Sequence, residues 1–148
     1  MPKKQTIERA RRDAREGKSA STQAGEFVRE EIEEIRAGKH GARSTKQAIA
    51  IGLSKARRAG VKLAPPKLGR TSEATRRKAQ RDLEKAALGK KPSAKRSRAT
   101  LKALQRESAA AASPEALSRQ TRTAARKRSA AERSVSAKKA ARTRKGGK

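Results

Sequence analysis

The stretch GEFVREEIEEIRAGKHGARSTKQAIAIGLSKARRAGVKL, from Gly25 to Leu63, is where the large apolar side chains of this chain gather. Residues 22–63 hold nine of the 17 Leu, Ile, Val and Phe residues in the whole sequence. A core can form only where apolar surface is available to bury, so this stretch decides the fold.

The first half of the stretch has the spacing of an amphipathic helix. One helical face carries its large apolar side chains: Val28, Ile32 and Ile35, with Phe27 on the flank. Thr22 is a suitable N-cap, and Gly38 predicts an end in the left-handed conformation.

The second half predicts another helix. Ser44 followed three positions later by Gln47 fits a capping box, and Gly60 marks the end. Its apolar stripe consists of Ile49, Leu53 and Ala56. Val61 and Leu63 can fold back over the end of this helix. We expect the two stripes to face each other in a helical hairpin over residues 22–63, with Phe27 in its small core.

Outside the hairpin the sequence offers little to bury. We expect a flexible arm, or alternatively a marginal helix, over residues 1–21. A Pro/Gly linker is expected over 64–70 and a basic helix over 71–88. Residues 89–148 are rich in Ala, Ser, Lys and Arg, and we expect a tail that is disordered when free and helical in part when bound. Within that tail, Ser113-Pro114-Glu115 is a suitable helix start. The predicted fold class is all-α: a small helical hairpin, further basic helices and a largely disordered C-terminal tail.

Composition excludes several classes of protein. The 148 residues include 42 Lys and Arg against 14 Asp and Glu, a formal net charge of +28. Leu, Ile, Val and Phe make up about 11% of the chain, below the roughly 20% typical of folded chains with high net charge. We therefore do not expect a single compact globular domain. The sequence has neither a transmembrane run nor an apolar signal segment, so a cytoplasmic protein is expected.

The charge is distributed unevenly. Residues 1–34 contain eight basic and eight acidic side chains, whereas residues 35–148 contain 34 basic and six acidic ones. A polycationic region of this kind is typical of proteins that bind polyanions, because each phosphate contact releases condensed counterions.

The candidate nucleic-acid contacts are basic side chains in three groups. The first group flanks the second helix of the hairpin: Arg43, Lys46, Lys55, Arg57, Arg58 and Lys62. The second group lies on the basic helix: Arg76, Arg77 and Arg81. The third group lies in the tail: Arg126, Lys127, Arg128, Lys138, Lys139 and Arg142.

The sequence contains few side chains of the kinds that usually carry out catalysis. His40 is the only histidine, lies in a Gly-flanked turn and is expected to be solvated; there is no cysteine. We predict no catalytic residue, no metal site and no cofactor, and hence no enzyme. The carboxylates Glu30, Glu31, Glu33 and Glu34 are expected to form the solvent face of their helix. Alternatively, they form an acidic surface that docks on a basic helix of the same or another chain.

Scarcity of aromatic residues favours duplex over single-stranded nucleic acid, since single-strand readers stack bases on aromatic rings. The sequence predicts non-sequence-specific binding of duplex DNA in a nucleoid-associated, histone-like role. Alternatives are an RNA- or ribosome-associated protein and a disordered protein-interaction or stress-protective chain. No membrane partner is expected, and the 26–36 and 45–59 helices could also join copies of the chain into a homo-oligomer.

The segment ARSTKQAIAIGLSKARRAGVKL (Ala42 to Leu63), preceded by GEFVREEIEEIRAGKHG, resembles a family of small basic bacterial proteins of unknown function, some of them labelled DNA-binding. The resemblance covers about residues 1–90. It implies a bacterial origin and supplies no catalytic residue. The tail from Ser93 is similar in composition to the tails of linker histones and of bacterial nucleoid proteins.

Overall fold

In a computed structural model the chain is helical throughout, and residues 1–146 are described. Seven α-helices and one 3₁₀ turn follow in order: α1 Lys4–Arg15, α2 Ala20–Arg36, α3 Thr45–Arg58, α4 Glu73–Ala87, α5 Ala94–Leu104, the 3₁₀ turn Ala109–Ala112, α6 Pro114–Arg126 and α7 Ala130–Gly146. No strand occurs among these residues. The chain divides into a first compact unit, Met1–Ser113, and a second that begins at Pro114.

The N-terminal segment, predicted to be a flexible arm or a marginal helix, forms helix α1. It packs on α2 and buries Thr6, Ala10 and Asp13. The prediction counted large apolar side chains, of which α1 has only Ile7, whereas the contact with α2 is made mainly by small residues. An ion pair of 2.5 Å between Arg9 Nε and Glu26 Oε2 adds a second link between the two helices.

Helices α2 and α3 form an antiparallel pair around the main core. Their predicted ends at Gly38 and Gly60 are confirmed, since both glycines have positive φ, 72° and 97°. The predicted Ser44 cap is also confirmed, because its Oγ accepts a hydrogen bond of 3.2 Å from the Gln47 amide. For α2 the predicted start was wrong: Ser19, not Thr22, is the N-cap.

The core of the first unit is small and tightly packed. Its fully buried members come from α1, α2, α3 and the segment after α3: Ala10, Ala24, Phe27, Ala56 and Val61. Phe27 is 1% exposed, as predicted for a core residue. Leu63 packs against this cluster, so the predicted fold-back of the chain after α3 is confirmed.

Helix α4 is attached to α3 through one buried carboxylate. Asp82 is 3% exposed, forms an ion pair of 3.0 Å with Arg58 Nε and accepts a short hydrogen bond from Ser54. Beside it, Ala79 is the buried apolar contact of the same helix face. A single polar link therefore accounts for much of how α4 is oriented on the hairpin.

Residues 104–112 cover the turn between α2 and α3. The Gly41 amide donates to the Leu104 carbonyl at 2.9 Å, and the Ala42 amide donates to the Ser108 carbonyl at 3.1 Å. The Thr45 hydroxyl completes the attachment by donating to the Ala111 carbonyl at 2.7 Å. Part of the segment predicted to be a tail thus belongs to the first unit.

The prediction of a largely disordered tail was wrong, because residues 94–146 are mostly helical. Helix propensity and helix capping, rather than burial in a core, stabilise the helices in this region. Ala has the highest helix propensity, and serine caps precede the helices. Ser129 and Glu132 form a reciprocal capping box at the start of α7, with N–H···O distances of 2.9 and 3.1 Å. The predicted start of α6 at Pro114 is confirmed. The expectation of disorder was based on the low content of Leu, Ile, Val and Phe, which does not take helix propensity and capping into account.

Candidate nucleic-acid interface and a buried carboxylate cluster

Three of the six cations predicted around α3 are exposed and unpaired among the described residues. Arg43 and Lys46 lie at the N-terminal end of α3, and Lys62 follows its C-terminal end. All three are exposed, and within residues 1–146 their side-chain nitrogens make no hydrogen bond or ion pair. They are free to contact an external anion.

The other three bind groups of the protein itself, although Arg58 is also exposed. Arg57 is 6% exposed and donates to the carbonyls of Leu63 and Ala64, at 3.1 and 3.4 Å. Burial lowers its pKa. Lys55 is bound to carboxylates of α2, and Arg58 is bound to Asp82 of α4. These three residues hold α2, α4 and the segment after α3 in place, so we do not assign them to the interface.

The predicted cations of α4 lie on its outer side. Arg77 and Arg81 are exposed and, together with Lys85, follow each other at i, i+4 and i+8 on one face. Arg76 and Arg77 both lie 3.4 Å from Glu73, at exposed positions where an ion pair contributes little. A shallow cavity of about 320 Å³ lies beside this face and is lined by Pro65, Arg76, Arg77, Gln80 and Arg81. Three of its five lining residues are arginines, so the cavity is positively charged.

In the second unit, five of the six predicted cations are exposed: Arg126, Lys127, Lys138, Lys139 and Arg142. Arg128 is half-buried and donates to the Glu132 carbonyl at 3.1 Å and to the Ser136 hydroxyl. It therefore fastens the junction between α6 and α7. Arg133 does the same from the other side, with a hydrogen bond of 2.9 Å to the Arg128 carbonyl.

The acidic residues of α2 do not form a solvent face. Only Glu33 is exposed, paired with Arg29 at 2.9 Å. Glu30 and Glu31 are 1% and 0% exposed. The alternative interpretation holds for two of the four carboxylates, since Glu31 and Glu34 dock on Lys55 of the basic helix α3 in the same chain. A signal for Glu31 existed in the sequence: it lies three residues after Val28 and four before Ile35, on the apolar stripe itself.

Glu30 faces the start of α1. Its Oε1 accepts a hydrogen bond of 2.9 Å from the Lys3 amide, while its Oε2 is buried without a hydrogen bond from the described residues. This carboxylate ties the N-terminal end of α1 to the middle of α2.

Glu31 and Glu34 share one lysine of α3. Lys55 Nζ lies 2.6 Å from Glu31 Oε2 and 3.1 Å from Glu34 Oε2. Burial lowers the pKa of Lys55, but the hydrogen bonds and charges of the two carboxylates outweigh it, so the pKa lies above its ordinary value. Burial likewise raises the pKa of Glu34, and Lys55 and Lys39 outweigh that effect and lower it overall. Glu34 and Lys55 are therefore both ionised near neutral pH.

His40 belongs to the same cluster, which corrects the expectation of a solvated histidine. Its side chain is 7% exposed, and its Nε2 lies 3.5 Å from Glu31 Oε1. The ring Nδ1 lies 3.0 Å from the Gly41 carbonyl oxygen. Sequence spacing could not place this ring, because the turn that carries it is folded under residues 104–112.

Residues 3–68 match a family of unknown function (DUF6496). The matching region contains α1, α2, α3 and the whole carboxylate cluster, and the family description names neither an activity nor a ligand. No curated protein and no solved structure matches the chain. No helix in the part of the chain that the structure describes is long and apolar enough to cross a membrane. The comparisons therefore show a similarity of residues 3–68 to an uncharacterised family and no more.

Proposed function

We propose that this protein binds duplex nucleic acid, DNA in preference to RNA, through phosphate contacts that depend little on base sequence. Such binding would give it a nucleoid-associated role. The observation that carries the proposal is the exposure of cations along pre-formed helices in both units. Residues 35–148 contain 34 cations and six acidic side chains, and the acidic Asp82 is consumed within the fold.

Three exposed sets of cations support the proposal. The first lies at the ends of α3, the second is the α4 face with Arg77 and Arg81, and the third is the α7 set: Lys138, Lys139 and Arg142. Because Lys46 and the α4 and α7 sets lie on helices already, binding would not need to order their backbone, which lowers the entropic cost of association. Each cation placed on a phosphate adds counterion release.

The location of the aromatic rings supports duplex over single-stranded partners. Phe27 is the only residue among Phe, Tyr and Trp in the sequence, and it is buried in the core. The His40 ring is buried as well. Proteins that bind single strands stack bases on exposed aromatic side chains, and this chain offers none among its described residues.

The test is the salt dependence of binding, measured by fluorescence anisotropy on two duplexes of unrelated sequence. If six to ten phosphates are contacted, affinity should fall by about 10³–10⁵-fold between about 50 and 200 mM salt, equally for both duplexes. An affinity that hardly changes with salt, or that differs strongly between the duplexes, would contradict the proposal.

A matched pair of charge variants locates the interface. The first variant neutralises the α7 set by Lys138→Gln, Lys139→Gln and Arg142→Gln. The control removes three exposed cations of α1 by Arg11→Gln, Arg12→Gln and Arg15→Gln. We expect the α7 variant to flatten the slope of log K against log salt by about 2.7, at roughly 0.9 per contact, and the control to leave it unchanged. Equal effects would show that net charge, not the α7 set, is what matters.

An RNA- or ribosome-associated role is the competing function, because phosphate contacts alone do not distinguish the two polymers. The two roles can be separated by a competition experiment at fixed salt. Unlabelled duplex DNA, duplex RNA and ribosomal RNA are each used to displace the labelled duplex from the protein. Stronger competition by ribosomal RNA than by duplex DNA would favour the RNA role.

A further inference from the structure

We infer that Glu31, Glu34 and His40 form a binding site for a divalent transition-metal ion such as Zn²⁺. One nitrogen or oxygen atom from each of the three side chains lies within 4.8 Å of the others. The residues come from the last two turns of α2 and from the turn that follows, so one short stretch of chain supplies all three donors.

The first argument is a buried oxygen that lacks a donor. Glu31 is 0% exposed, and no hydrogen bond from the described residues reaches its Oε1. A buried carboxylate oxygen left unpaired is energetically costly, because it has lost its hydrogen bonds to water. The neighbour that faces Oε1 is the His40 ring, at 3.5 Å.

The second argument is the orientation of that ring. A carbonyl oxygen can only accept, so the contact of His40 Nδ1 with the Gly41 carbonyl requires the hydrogen to be on Nδ1. In the neutral ring, Nε2 then directs a lone pair toward Glu31 Oε1, and two electron-rich atoms face each other. Metal-binding histidines are typically held in this way, with the other ring nitrogen bonded to a backbone carbonyl.

The third argument is distance. Zinc binds nitrogen and oxygen ligands at about 2.0–2.2 Å, so two ligands of a tetrahedral ion are about 3.4 Å apart. The observed 3.5 Å between Nε2 and Oε1 fits this separation and exceeds the 2.7–3.2 Å of an ordinary N–H···O hydrogen bond. A cation between the two atoms would satisfy both.

Lys55 limits the affinity of this site without filling it. Its ammonium lies beside Oε2 of both glutamates, whereas Glu31 Oε1 lies 3.5 Å from His40 Nε2. A unit positive charge so close disfavours a second cation. Imidazole combined with carboxylate suits zinc and its neighbours rather than magnesium or calcium, which prefer oxygen ligands alone.

The wild-type titration tests the site directly, because His40 is the only histidine of the chain and its ring NMR signals report one position. We expect Zn²⁺ to shift these signals with saturation at one equivalent, and Co²⁺ to give a visible absorption band of a nitrogen- and oxygen-bound ion. Mg²⁺ at the same concentration should do neither. His40 signals that stay unchanged in excess Zn²⁺, or that respond equally to Mg²⁺, would overturn the inference.

Two variants and one control test the ligands. Glu34→Gln should weaken Zn²⁺ binding at least about tenfold, whereas the matched control Glu33→Gln, on the exposed side of the same helix turn, should leave it unchanged. Lys55→Met should tighten binding by about tenfold or more, because it removes the neighbouring positive charge. Equal Zn²⁺ affinity in the Glu34 and Glu33 variants would show that the cluster is an internal salt bridge and not a metal site.

Discussion

A Cβ atom added to Gly52 in α3 would lie 2.6 Å from the Cα atom of Val28 in α2. The two helices therefore contact each other backbone to backbone at this point, where no side chain fits between them. The close approach also brings Lys55, one turn further along α3, within reach of the carboxylates on α2. A single glycine thus fixes both the core packing and the buried ion pairs.

Gly52→Ala should destabilise the protein although alanine is the better helix former. Because the obstructing atom is backbone, no rotamer change relieves the collision, and overpacking costs about 1–3 kcal/mol. Gly25→Ala is the control: it lies in α2, its added methyl group would meet no neighbouring atom within 4 Å, and it should stabilise by about 0.5–1 kcal/mol. Urea denaturation of both variants measures the difference, and a Gly52 variant as stable as the Gly25 variant would contradict the packing described.

Gly41→Ala should detach residues 104–112 from the turn between α2 and α3. A Cβ at Gly41 would lie 2.0 Å from the Glu107 carbonyl oxygen, a distance that only displacement of one backbone can relieve. We expect faster hydrogen exchange at the amides of residues 41 and 42, which donate to Leu104 and Ser108. The amides of α1 should keep their protection. Unchanged exchange at residues 41 and 42 would argue against this docking.

Asp82→Asn should loosen α4. The substitution removes the negative charge that pairs with Arg58, and it leaves Ser54 facing an amide in place of a carboxylate. A lost hydrogen bond to a charged, buried group costs about 1.5–3 kcal/mol. Glu84→Gln, an exposed change on the same helix, should stay within about 0.5 kcal/mol of wild type. Thermal unfolding of the two variants gives the comparison.

Stability should depend on pH through Glu34 and Lys55, with opposite signs. The folded-state pKa of Glu34 lies below its ordinary 4.5, so its contribution is complete above pH 4.5 and is lost as the pH falls through the lowered value. The pKa of Lys55 lies above its ordinary 10.5, so its contribution is complete below pH 10.5 and is lost as the pH rises through the raised value.

The difference in melting temperature between wild type and Lys55→Met isolates the second effect. It should be constant between about pH 6 and 9 and shrink above pH 10.5, where the wild-type lysine loses its charge in the folded protein as well. A difference that persists unchanged in that alkaline range would show that the charge of Lys55 is not what stabilises the pair.

Helix ends were largely predictable, because they depend on neighbours in sequence. Ser44, Gly38 and Gly60 act on backbone groups within four residues, so the sequence contains all the information they require. Phe27 was placed correctly for a similar reason, since a lone large ring on an apolar stripe has little alternative to the core.

Burial of polar groups was not predictable in the same way. Periodicity places Glu31 on the apolar stripe but gives no reason for burying a charge there. The groups that compensate Glu30, Glu31 and Arg57 lie far away in sequence or beyond the end of the helix. The stability of helix α1 was underestimated because alanine and threonine make much of its buried contact. The order of the C-terminal helices was missed because they need no core.

The docking of residues 104–112 also has a consequence for how this chain can be shortened. The region similar to the family of unknown function ends at residue 68, yet Arg36 and Thr45 within it reach their hydrogen-bond acceptors only at Ala112 and Ala111. A fragment cut at the family boundary would carry α1 to α3 with these partners missing. A fragment that keeps the first unit intact must therefore extend to residue 113, where that unit ends.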